Sequence, residues 1–204
     1  MSKKVILLAV LALALPMAAF ASSGIDFTND GGTLKGSSSG LSLTGSTLTV
    51  VNGLNGGGLD AGSNLGSFSF STGALLSGSL SHGGTFAGGG SFTITGNGSN
   101  GVPNGVLFGG TFNGPVTWTM VCLANGTHNY TLTGVVGGTL SNGYYTDGVT
   151  VQLTVNTGKG FFNGKTTISS GDTNIVVPEP GTLSLFGTGL IGLAGIIRRK
   201  LNLA

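Results

Sequence analysis

Asn-Gly dipeptides recur along the chain, among them those at 97–98, 104–105, 113–114, 125–126, 142–143 and 163–164. Both residues tolerate positive φ, so each pair is predicted to form a tight turn between antiparallel strands. The segments between them have the matching period. VTVQLTV (Val149 to Val155) alternates apolar and polar residues without a fault, as a half-buried strand should. SFSF (Ser67 to Phe70) and SFTIT (Ser91 to Thr95) do the same. Val116, Trp118, Met120 and Cys122 share one face of a further strand, and Tyr130 and Leu132 continue the pattern after the turn at Asn125-Gly126. Helical periodicity of any length is missing from residues 22–177.

This spacing predicts an all-β, Gly-rich antiparallel β-sandwich over residues 22–177. A β-solenoid is the alternative, because GGTFAGG (Gly83 to Gly89) echoes GGTFNGP (Gly109 to Pro115) and GGTL occurs at Gly31 and Gly137. The echoes do not keep one period, which favours the sandwich. The expected core includes Phe68, Phe70, Phe92, Ile94, Phe108, Phe112, Trp118, Leu132, Val151 and Leu153. The stretch from Ser22 to Gly66 is richest in Gly and Ser and reads as the looser half.

Composition narrows the class further. Glycine supplies 41 of 204 residues without the strict triplet of collagen, and only 7% of residues are charged, unlike a disordered chain. Between Ser22 and Val177 stand three lysines (Lys35, Lys159, Lys165) and five aspartates (Asp26, Asp30, Asp60, Asp147, Asp172). No basic patch exists to hold phosphates, so nucleic acid is not an expected partner.

The two ends read as addresses. At the N-terminus, Lys3 and Lys4 precede an apolar run from Val5 to Leu15, which Pro16 breaks. Ala19 and Ala21 then occupy the two small-residue positions that signal peptidase reads. Residues 1–21 are thus expected to be a signal peptide with a helical apolar segment, cut after Ala21. At the other end, residues 181–197 are predicted to form a single transmembrane helix of about 25 Å, at the short end for a bilayer core. Arg198, Arg199 and Lys200 would hold its cytoplasmic side, and Pro178 and Pro180 give the span a sharp start.

Pro178-Glu179-Pro180, a Gly-interrupted apolar span and Arg198-Arg199-Lys200 at the chain end together resemble the PEP-CTERM protein-sorting signal of Gram-negative bacteria. The resemblance covers residues 178–204. It implies recognition by exosortase, a membrane peptidase of the cell envelope, and a cut near the motif. The body would then pass to the cell surface or extracellular matrix.

Chemistry is sparse in the body. HExxH, CxxC, GxSxG and Walker sequences are all missing. His82 (SLSHGG) and His128 (NGTHNY) lie in turn-like contexts and are expected to be solvated. Cys122 has no second cysteine to pair with, and its row-mates Val116, Trp118 and Met120 suggest burial. DFTNDGG (Asp26 to Gly32) matches the first half of an EF-hand loop, but Ser37 stands where the bidentate Glu belongs. NGGGLD, ending at Asp60, nearly matches a calcium β-roll unit. Asp26, Asp30 and Asp60 are therefore weak calcium candidates, and Asx-Gly turns explain both stretches without a metal. No cofactor is expected.

The expected function is a non-enzymatic, exported cell-surface or matrix protein. Exosortase and signal peptidase would process it, and exopolysaccharide of a biofilm matrix would be its partner. The alternative is a carbohydrate-binding β-sandwich module held at the membrane. Tyr144-Tyr145 and Phe161-Phe162 are the adjacent aromatic pairs that could form a platform, one member of each facing outward.

Overall fold

The computed structural model describes residues 24–176, which form one compact unit. The signal-peptide residues, including Ala19 and Ala21, lie outside the described residues. So do Pro178, Glu179, Pro180, the 181–197 span and Arg198, Arg199 and Lys200.

Thirteen strands follow one another, with a single 3₁₀ turn at Leu54–Gly56. They are β1 (Gly24–Asp30), β2 (Thr33–Ser37), β3 (Gly40–Asn52), β4 (Leu59–Ser71), β5 (Leu75–Ser79), β6 (Gly83–Phe86), β7 (Gly89–Asn97), β8 (Asn104–Phe112), β9 (Val116–Cys122), β10 (His128–Leu140), β11 (Tyr145–Asn156), β12 (Lys165–Thr167) and β13 (Ser170–Val176). The all-β reading holds, but the sandwich does not. Strands β1, β3, β4, β7, β8, β10, β11 and β13 pair in that order, and β13 returns to pair with β1. The ring is a closed eight-stranded barrel.

Alternation cannot separate a barrel from a sandwich, since both put every second side chain inside. What decides is the last strand. β13 fits between β11 and β1, with Gly24 opposite Val176 and Asn29 opposite Gly171. The solenoid fails for another reason: every ladder is antiparallel. The two GGTF echoes are β6 and the end of β8, each placing its Phe in the core.

A barrel of eight strands is just wide enough for its own side chains to fill. Here phenylalanines fill it. The Phe92 ring meets Phe68, Phe108 and Phe112 edge-on at centroid distances of 5.0, 5.9 and 5.8 Å. All ten expected core residues are buried. The Gly/Ser-rich first part is no looser than the rest, for β1, β3 and most of β4 are barrel staves and bury Phe27, Leu41, Leu43, Leu48 and Val51.

The rings also explain glycines inside strands. Gly110 on β8 pairs with Gly138 on β10. A Cβ on Gly138 would meet Phe108 Cζ at 2.6 Å and the Gly109 carbonyl at 2.4 Å, so bare backbone is what lets the ring lie across the ladder.

Two long strands are shared between the barrel and an extension at one end. The first half of β3 pairs β2 and its second half pairs β1. The first half of β10 pairs β9 and its second half pairs β8. β9 then carries β6 and β5, while β2 carries β12.

The hairpin turns differ in detail from expectation. At Asn125-Gly126 and Asn142-Gly143 only the glycine has positive φ, 77° and 82°. The Gly126 amide donates to Leu123 O and Leu123 N donates to Thr127 O; Leu140, Gly143 and Tyr144 repeat this arrangement. These are three-residue loops ending in a left-handed glycine. The asparagine contributes through its side chain, accepting from Thr127 N and Tyr144 N at 3.0 Å. Asn104-Gly105 is no turn, for it opens β8.

Candidate functional site

The extension builds the most distinctive surface of the molecule. Three aromatic residues seal it from beneath. Trp118 on β9 stacks on Tyr130 of β10 at 5.0 Å, and Phe162, from the loop between β11 and β12, packs edge-on to Trp118 at 5.5 Å. Trp118 Nε1 donates to Leu80 O at 2.9 Å. The Tyr130 hydroxyl donates to Ser81 O at 2.7 Å and accepts from the Phe162 amide at 2.9 Å. Every polar atom of this buried set has a partner, so the two loops that supply Leu80, Ser81 and Phe162 are held in place.

Above this seal lies an open groove of about 570 Å³, lined by Ser38, Leu75, Ser79, Ser81, Phe161 and Asn163 among others. Phe162 points down, as neighbours in extended chain should, and Phe161 is 47% exposed. The Tyr144-Tyr145 pair departs from that rule, since both rings are exposed next to the turn. Phe161 also touches both histidines, at centroid distances of 4.8 Å to His82 and 4.4 Å to His128.

The histidine expectation was half right. His82 lies in the turn between β5 and β6, its Nδ1 sharing a hydrogen bond with Ser81 Oγ at 2.8 Å. His128 instead begins β10 and is only 8% exposed, and its Nδ1 is buried without a partner. Cys122 is exposed rather than buried. Its row of inward-facing side chains leaves the core at the hairpin end, so burial stops at Trp118 and Met120 is already half-buried.

The aspartates do not converge. Asp26 sits within β1 and Asp30 ends it, so the EF-hand-like stretch is strand, not loop. Asp60 is on β4 opposite Val51, close to Gly101 of the β7–β8 connection. Among the described residues no three His, Cys, Asp or Glu side chains form a metal-holding group. Asp26 has a different partner, Asp172 on β13, that nothing in the sequence signalled. Burial, then a hydrogen bond and charge repulsion from Asp172, push its pKa from 3.8 up to about 6.

Among the described residues no helix is long and apolar enough to cross a membrane, which says nothing of residues 181–197. No curated protein and no solved structure matches the chain. A family model does match its end, over residues 176–200. Together with the Pro178-Glu179-Pro180 and Arg198-Arg199-Lys200 that it spans, the match shows that the chain carries the PEP-CTERM protein-sorting motif, which implies an exported protein handled by exosortase.

Proposed function

We propose that the exported barrel is a non-enzymatic surface or matrix protein that holds neutral exopolysaccharide in the Phe161 groove. The observation that carries this reading is the groove's composition. The half-exposed Phe161 ring stands among the Ser38, Ser79 and Ser81 hydroxyls and the Asn163 amide, with no ionisable residue in the lining. A pyranose ring presents an apolar C–H face edged by hydroxyls, and such a surface complements it without charge. The buried Trp118, Tyr130 and Phe162 support the groove from beneath, and a preorganised site binds at lower entropic cost.

Affinity electrophoresis through gels containing neutral or anionic polysaccharide tests the reading. Retardation is expected in a neutral gel, and Phe161→Ala should abolish it. Retardation that persists in Phe161→Ala, or that occurs only with anionic polymer, would reject the groove as the site.

The Ser81–His82 hydrogen bond is the observation that favours a second reading, a hydrolase. A serine nucleophile needs its base held by a third group. No acidic side chain accompanies His82 among the described residues. Glycan or ester turnover lost in both Ser81→Ala and His82→Ala would reverse the ranking.

A further inference from the structure

The hairpin joining β9 and β10 places a thiol, a thioether and a buried imidazole on one face. Cys122 Sγ and Met120 Sδ are 3.8 Å apart. Two metal–sulfur bonds of about 2.3 Å meeting at about 110° would set their sulfurs about 3.8 Å apart. Directly opposite Cys122 across the ladder is His128, and opposite Met120 is Tyr130, so all four side chains lie on the same side of the hairpin. His128 is 8% exposed and its Nδ1 is buried with no hydrogen-bond partner. A buried imidazole nitrogen left unpaired is costly in a native structure, and a ligand is one cause. Phe161 lies on the ring at 4.4 Å and limits how it can turn.

From this geometry we infer that Met120, Cys122 and His128 form a site for one soft monovalent cation, Cu(I) or Ag(I). Thioether and thiolate ligands select soft cations over calcium or magnesium, and the neutral thioether of Met120 favours a monovalent ion over zinc. Only two of the three donors are of the His or Cys type, so the site differs from the acidic clusters that hold hard cations. Binding converts the Cys122 thiol to thiolate and releases its proton to solvent, with no change in oxidation state. His82 is not needed, because its Nδ1 is engaged by Ser81. Neither sulfur lines the groove, and His128 meets it only through Phe161, so silver loss in Met120→Leu is read separately from glycan retention.

Silver titration of the full-length protein against a chromophoric competitor tests it, with no redox chemistry to confuse the result. One ion per chain is expected. Met120→Leu, Cys122→Ser and His128→Gln should each weaken binding at least about tenfold, as loss of one of three ligands must. Met120→Leu and Cys122→Ser should melt like the parent, because their side chains reach solvent. X-ray absorption at the silver edge should count two sulfurs and one nitrogen around the ion, which decides the role of His128 even if its variant folds poorly. Silver bound equally tightly by Met120→Leu, or an ion with a single sulfur neighbour, would overturn the inference and leave Cys122 an ordinary reactive thiol.

Discussion

The carboxyl of Asp26 on β1 lies beside that of Asp172 on β13, across the ladder that shuts the barrel. Two carboxyls share a hydrogen bond only while one keeps its proton. With its pKa raised to about 6, chiefly by burial, Asp26 binds a proton in the folded barrel that it would lose when unfolded above about pH 4. The folded state therefore holds more protons between about pH 4 and 6, and stability rises as pH falls through that window. Melting temperature followed from pH 7 to 4 should climb. In Asp26→Asn it should be higher at pH 7 and nearly flat over the same range. A parent melt that falls steadily on acidification would contradict the shared proton.

Phe92 stands at the centre of the barrel's aromatic cluster, with three ring neighbours and no exposure. Phe92→Ala should cost about 3–5 kcal/mol, from lost transfer energy and the cavity left behind. Urea denaturation would read this as a lowered midpoint at unchanged slope. A loss below about 1 kcal/mol would mean the interior can collapse around the gap.

Two glycines should respond in opposite ways. Gly138→Ala drives a methyl into the Phe108 ring and the β8 backbone, and about 1–3 kcal/mol of overpacking is expected. Gly114→Ala meets nothing within 4 Å and has no positive φ, so it should be neutral or stabilise by up to about 1 kcal/mol. Paired thermal melts would show whether close approach, rather than glycine content as such, sets the tolerance.

Tyr130→Phe removes one oxygen and strands two groups, the Ser81 carbonyl and the Phe162 amide. A destabilisation of about 1–3 kcal/mol is expected, with faster amide exchange at Phe162. The Trp118 fluorescence should shift little, because its stacked neighbour keeps the ring. Unchanged exchange at Phe162 would show that the loop is held by other contacts.

Side-chain period and turn chemistry made the strands legible, and the periodic residues named from them are the core. Two things were not written in any local pattern. β13 (SGDTNIV) carries few apolar residues, and only its pairing with both β11 and β1 turns a layered sheet into a ring. Burial at the β9–β10 hairpin follows from what packs above it. Cys122 continues an inward row yet is exposed, and His128 follows a turn yet is covered by Phe161. The adjacent Phe161-Phe162 pair did signal the groove. The Asp26–Asp172 contact left no mark, because its members are 146 residues apart in sequence.

The seam between β1 and β13 also orders events in time. Its last rung is Gly24 opposite Val176, and the sorting-motif match begins at that same Val176. The first stave stays unpartnered on one side until the residues just ahead of the sorting motif join it. A peptidase cut beyond Val176 would spare every rung of the seam, whereas a cut a few residues earlier would begin to unzip the barrel.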